Sequence, residues 1–416
     1  MPMNLIIFED DRFTDFEPLS ISHPVYALLC GTSRIYAKWI RALKPKTVSF
    51  LSRPYLAASL ELETGIKTNA IAEGEGIFVN GRFLPSKEIL AALRKLSNGE
   101  GLESDGALMA FRLDTSQGSE FADGLSNLHE SAGVERIRKY LKEKRAKAGA
   151  IKYLWDMVEI NGERISAEFK EFHGKAKSTG KIDPRASIIN RRMVSVVRGA
   201  SVGPQAVIDA TEGPVIIEKD AVVEPLTYIK GPCYVGQGSR LVGGNIRDGC
   251  SFGPACRVGG EVEETIMLGY CNKYHDGFLG HAYLGEWVNL GAMTTNSDLK
   301  NNYTPISVFA GGQLVNSGKI KVGCFIGDHT KTGIGTLLNT GISIGFSCNL
   351  YGGGFFAERS IKSFSWGTPG NLAEYEIEKA IRTAAASMAR RGIEFGEIHE
   401  RLFREISAMR RPEDRL

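Results

Sequence analysis

What this sequence lacks narrows it first. Its seven cysteines (Cys30, Cys233, Cys250, Cys256, Cys271, Cys324 and Cys348) include no C-x-x-C pair. That argues against a zinc ribbon and for reduced thiols, so a cytoplasmic protein is expected. No apolar run reaches the roughly 18 residues of a membrane span. The first ten residues, Met1 to Asp10, turn acidic too early for a secretory leader. Neither secretion nor a membrane partner is therefore expected. A basic stripe interleaved with aromatics is also missing: 51 Lys and Arg balance 48 Asp and Glu, for a formal charge of +3 over 416 residues. This speaks against nucleic acid and leaves small anionic substrates open.

What the chain does have is a period of six. Aliphatic residues recur at Ile217, Val223, Ile229, Val235 and Leu241, and after a one-residue slip at Ile246, Phe252 and Val258. A further run is Ile320, Ile326, Thr332, Leu338, Ile344 and Leu350, with shorter ones at Ile182, Ile188, Val194 and at Leu284, Leu290. Neither helices nor strands repeat at six. A triangular coil does, with each flat face one hexapeptide and its aliphatic residue stacked on equivalents one coil away. About 30 of the 48 glycines fall between Gly180 and Gly354, which suggests that glycine turns the corners. A β-sandwich would instead alternate with period two. The expectation is a left-handed parallel β-helix, with a homotrimer as the usual assembly of this class. The repeat fails at Gly269 to Leu279 and at Thr295 to Ser317, and such interruptions map to loops on one face.

The first half alternates strand and helix patterns: strands at 3–8, 47–50, 76–79 and 107–113, and helices at 32–43, 55–62, 87–96 and 134–147. This reads as an open α/β sheet. Lys142 to Lys147 is expected as a basic helix surface. After Gly370, Asn371 can cap a helix to about Met388, with a second reaching Met409. The division expected is 1–175 for an α/β domain, 176–370 for the β-helix and 371–416 for a helical tail.

The stretch His275-Asp-Gly-Phe-Leu-Gly-His-Ala-Tyr-Leu-Gly-Glu-Trp-Val-Asn-Leu-Gly-Ala292 resembles, without a gap, the acetyltransferase core of the bifunctional enzymes that make UDP-N-acetylglucosamine, and of their archaeal sugar-phosphate relatives. The resemblance implies a sugar-1-phosphate nucleotidyltransferase domain, a β-helix acetyltransferase domain with acetyl-CoA as co-substrate, and a trimer with sites between subunits. It places His275 as the catalytic base that takes a proton from the sugar amine, a role suited to an imidazole. It makes Lys273, Phe278, Asn289, Asp298 and Lys300 candidate substrate-binding residues. Phe278 stands where the family has a Tyr, Asp298 where it has an Asn, and Trp287 and Met293 where it has an Asn and a Gly. His281 and His329 are read as surface, subunit-contact or CoA-facing residues.

The N-terminal half resembles a divergent branch described as sugar nucleotidyltransferases. The shared features are the Phe8-Glu-Asp-Asp-Arg12 opening, Pro18-Leu-Ser20, Gly31-Thr-Ser-Arg34 with Lys38-Trp39, and Trp155-Asp156 with Asn161-Gly162-Glu163. Asp10, Asp11, Arg12 and Arg34 are then candidate nucleotide-binding residues, with Mg²⁺ if nucleotidyl transfer occurs. Active relatives carry phosphate-holding glycines at this opening and a metal-binding Asp later. Here those glycines are absent, and Asn80 or Gly81 stands opposite the acid. Three readings follow: acetyl transfer to an amino-sugar phosphate beside a degenerate nucleotidyltransferase domain; nucleotidyl transfer with a structural β-helix; or a non-catalytic scaffold binding a sugar phosphate or nucleotide sugar. No metal-ligand set can be named.

Overall fold

The computed structural model describes residues 4–117, 122–173 and 178–409. The boundary expected between 175 and 176 lies outside the described residues. In the first half, a six-stranded sheet runs in the order Thr47–Leu51, Asn4–Phe8, Glu75–Asn80, Ala107–Asp114, Glu100–Ser104, Lys142–Arg145. Asn4–Phe8 is parallel to both neighbours, and Ala107–Asp114 is antiparallel to both of its own. Leu5 and Ile7 point to one face and Ile6 and Phe8 to the other, each into a separate apolar cluster. A strand covered on both faces reads as a continuous apolar run, as this one does.

The helix expected over 134–147 is corrected. It spans Ser131–Arg138, and Lys142–Arg145 is an edge strand parallel to Glu100–Ser104. Its cations face carboxylates, with Lys144 2.6 Å from Glu100. An exposed charged edge strand discourages further pairing and carries no apolar alternation that would reveal it.

From Lys181 to Thr368 the chain winds into a parallel β-solenoid of about ten coils with its strands stacked in columns. The six-residue reading holds for its core: Ile217, Val223, Ile229, Val235, Leu241, Ile246, Phe252 and Val258 are all fully buried in one cluster. Ile320 departs from it, being 52 % exposed at the end of an insertion. The glycine expectation holds in part: Gly199, Gly238, Gly249, Gly335 and Gly341 do take left-handed angles in the coils. Many left-handed positions in the coils belong to other residues, among them Asp220, Ala255, Tyr270, Trp287 and His329. Glycine is also needed where coils approach each other: a Cβ on Gly253 or Gly323 would run into the backbone of the preceding or following coil.

The two interruptions differ. The first stays within a coil, since Asn272–Lys273 and Phe278–Gly280 both pair in register with the previous turn. The second is a true insertion whose hairpin, Ser307–Ala310 with Gln313–Asn316, packs Ile306, Val308 and Ala310 into the α/β core. The tail differs as well. Asn371–Glu374 is a strand antiparallel to Ser365–Thr368, and the helices are Ile377–Ala389 and Glu397–Ala408.

The two halves share one core, in which Leu28, Leu29 and Trp155 meet Ile266, Tyr283 and Phe325. The helix Leu154–Glu168 fastens them through Asn161, which accepts from Gly31 N (2.7 Å) and donates to Gly249 O (2.8 Å) and Ser251 Oγ (2.9 Å). A buried pair, His23 Nε2 and Asp328 Oδ2 at 2.7 Å, crosses the same junction. Burial alone would lower the His23 pKa, but the Asp328 carboxylate outweighs it and raises the value above 6.5. Burial would likewise raise Asp328, but His23 holds it below 3.8. Glu286, Arg34 and His329 also face the pair and modulate it. The His23 contribution is complete below pH 6.5 and is lost as pH rises through its raised folded value; that of Asp328 is present above 3.8 and lost as pH falls through its depressed one. The thermal midpoint is therefore expected to fall as pH climbs above 6.5, and His23→Gln to flatten that slope. An unchanged slope in a melting series from pH 6 to 8.5 would show that this pair does not hold the halves together.

Candidate functional site

The carboxyl ends of Asn4–Phe8 and Glu75–Asn80 open where strand order reverses, the usual place for a ligand crevice in an open α/β sheet. A cavity of about 590 Å³ lies there, lined by Asp10, Asp11, Arg12, Arg82, Arg138 and Lys152 among others. Most of its acids are already engaged. Asp10 accepts from Arg82 Nε at 2.8 Å, from Arg82 Nη2 at 2.5 Å and from Asn80 Nδ2 at 2.7 Å. Glu9, fully buried, is held by Arg53 Nε at 2.9 Å. Arg12 pairs with Asp15 at 2.5 Å, and Asp11 accepts from Ser131 Oγ. Arg34 is not part of this crevice. It is anchored to Glu63 (2.7 Å), Glu286 (2.5 Å) and the Ala27 carbonyl (2.6 Å), so its side chain joins the α/β half to the solenoid.

A Mg²⁺ of the kind used in nucleotidyl transfer does not fit this donor set. Both Asp10 oxygens accept from cations or amides, and Asn80 supplies no charge. Among the described residues no three His, Cys, Asp or Glu side chains converge on a metal position.

On the solenoid, His275 occupies the exposed turn between Asn272–Lys273 and Phe278–Gly280, with the Tyr274 ring edge-on at 5.3 Å. Lys273 is 1 % exposed, and its ammonium is bonded to the His275 and Gly259 carbonyls. Burial lowers its pKa to about 8, against the pull of Asp276. It therefore braces the His275 turn from inside. Phe278 and Asp298 do come together: a Cβ on Gly280 would meet the Phe278 ring and lie 2.9 Å from Asp298 Oδ2.

Asp298 is also bonded to His281 Nδ1 at 2.8 Å. That fixes the imidazole, and His281 lines a cavity of about 270 Å³ together with Trp155, Glu264 and Lys321. Burial raises the Glu264 pKa to about 7, with the His281 charge opposing. Thus His281, read as a surface, subunit-contact or CoA-facing residue, is half of a carboxylate-oriented pair. The signal was present in the sequence: His281 and Asp298 are 17 residues apart, one coil, like the stacked pair Asn272 and Asn289.

Two candidates lie elsewhere. Lys300 donates to the Pro305 carbonyl at 2.7 Å and braces its own loop. Asn289 accepts from Asn272 Nδ2 at 2.7 Å on another column of the solenoid. His329 is half-buried, packed against Trp287, Phe346 and Phe403, and burial lowers its pKa to about 3, so its imidazole is neutral.

These features define an α/β unit joined through a shared core to a parallel β-solenoid. Residues 5–177 match the family described as Sugar nucleotidyl transferase. A bifunctional sugar-1-phosphate nucleotidylyltransferase/acetyltransferase of Sulfurisphaera tokodaii is 34 % identical over 154 residues, 34 % of this chain and 36 % of that protein. The bifunctional protein GlmU of a Synechococcus strain is 30 % identical over 164 residues, covering 30 % and 32 %. The chain thus spans about a third of the length of these curated relatives. Among solved structures, the polySia specific acetyltransferase NeuO is aligned over 50 % of this chain and 94 % of its own at 13 % identity and a TM-score of 0.20, a score that carries no argument.

Proposed function

We propose that the protein transfers an acetyl group from acetyl-CoA to the amine of an amino-sugar phosphate on the solenoid, with the α/β half serving as a degenerate nucleotidyltransferase unit. The observation that carries this reading is the gapless likeness of His275 to Ala292 to the acetyltransferase core, together with the solvent-open imidazole of His275 on its braced turn. His275 takes the proton that the sugar amine loses as its nitrogen attacks the thioester carbonyl. The C–S bond then breaks, and the thiolate leaves to be protonated. Backbone N–H groups at the coil corners stabilise the oxyanion formed between these steps. Phe278 and Asp298 form the wall against which the sugar lies, and the assembly is a homotrimer working in the cytoplasm. The test is release of free CoA thiol from acetyl-CoA across a panel of amino-sugar phosphates; no release with any of them would overturn the reading.

Nucleotidyl transfer is the second reading, favoured by the family match over residues 5–177. The internal ion pairs at Asp10 and Glu9 speak against it. No pyrophosphate release is expected from UTP or dTTP with sugar-1-phosphates and Mg²⁺, and sustained turnover in that assay would restore it.

A further inference from the structure

The tail helix Ile377–Ala389 and the residues just after it close over one column of the solenoid and leave a pocket of about 280 Å³. Its floor is a ladder of outward side chains in register, Arg257, Asn272, Asn289 and Lys331, whose neighbours Val258, Lys273, Leu290 and Thr332 point into the core. Its other wall brings Arg390 and Arg391 from the end of the helix. Four cations therefore line one small space, and no carboxylate does.

Several outward cations elsewhere on the solenoid are paired: Arg240 with Glu224 at 3.3 Å, Arg247 with Glu261 at 2.8 Å and Lys321 with Glu263 at 3.2 Å. Arg257, one rung beyond Arg240, has no carboxylate partner among the described residues, and neither do Arg390 and Arg391. Lys331 donates to the Trp287 carbonyl at 2.5 Å. Burial lowers the Lys331 pKa to about 8, and Arg391 is lowered by burial and by the charges of Arg257 and Arg390. Like charges held together in a partly dry pocket repel, and no carboxylate lines the pocket to offset them. Arg257 and Lys331 stand three rungs apart, roughly 14 Å along the column at the usual strand spacing. With the side chains folding inward, two linked phosphates span more of that ladder than one can, and present oxygens to cations at both ends.

We propose that this pocket is a binding site for the diphosphate group of a phosphorylated ligand, held by Arg257, Lys331, Arg390 and Arg391, with the Asn272 and Asn289 amides beside it. The inference is independent of acetyl transfer, because binding alone is read. Diphosphate is presented by inorganic pyrophosphate, by a nucleoside diphosphate and by CoA, and these are the three arms of the experiment. Titration of the full-length protein by calorimetry with pyrophosphate, UDP and CoA, against sodium chloride of matched ionic strength, is expected to show saturable binding in at least one arm. The arm that binds most tightly identifies the source.

Arg390→Glu with Arg391→Glu, at the solvent-facing end of the helix, is expected to raise that Kd at least tenfold while leaving the circular dichroism spectrum unchanged. Arg257→Gln alone is expected to raise it several-fold and serves as the second variant should the double one unfold. At pH 8, wild-type binding is expected to take up protons as Lys331 becomes fully charged, read as a heat that depends on the ionisation enthalpy of the buffer. Binding no stronger than the salt control in every arm, or equal affinity in wild type and both variants, overturns the proposal.

Discussion

Replacing His275 by Ala is expected to lower acetyl transfer by about 100- to 10,000-fold, the usual worth of a positioned general base, with no change in melting temperature. The side chain is exposed and its ring makes no hydrogen bond within the described residues, so its removal leaves no cavity and no orphaned partner. Single-turnover thiol release separates this from a binding defect: a true base shows the loss in kcat with KM little changed. His281→Ala is the informative control. If His281→Ala abolishes the reaction while His275→Ala retains it, the base is the Asp298-oriented imidazole 2.8 Å from its carboxylate, and the assignment to His275 is wrong.

Arg82→Met is expected to destabilise the protein by about 3–5 kcal/mol, because it strands the Asp10 carboxylate in a site where both side chains are less than a tenth exposed. Removing both charges in Asp10→Leu with Arg82→Met is expected to recover most of that loss, as replacement of a whole buried pair by apolar groups usually does. Urea unfolding of the wild type, the single variant and the double variant measures it. Were Asp10 instead a catalytic metal ligand, Arg82→Met would leave stability nearly intact and change the Mg²⁺ response. The pair thus decides whether the acidic opening of the chain is a working site or an internal strut.

Much of the architecture was legible because it rests on periodicity. Residues such as Ile229, Val235 and Leu241 stack on their equivalents in successive coils, and stacking of that kind must appear as a fixed spacing in the chain. What escaped had no such imprint. Lys142–Arg145 is a strand only because Glu100–Ser104 lies beside it, and its charged residues carry neither a helical nor an alternating apolar pattern. Asn371 looks like a helix cap, yet its backbone pairs with Thr368 across a hairpin, since sheet hydrogen bonds to an existing column outweigh a local preference. The bonds of Lys273 and Lys300 to backbone carbonyls escaped for a related reason: residue type announces charge, but only the surroundings decide what an ammonium meets.

The motif at His275 to Ala292 and the six-residue period were determined by the sequence alone, because both are local in the chain. The meeting of His281 with Asp298, the closure of Arg390 and Arg391 over Arg257, and the engagement of Asp10 by Arg82 were decided only by the tertiary structure. Each of these joins residues on different coils or elements, and their charges acquire meaning from the partners, and the dryness, that folding brings to them.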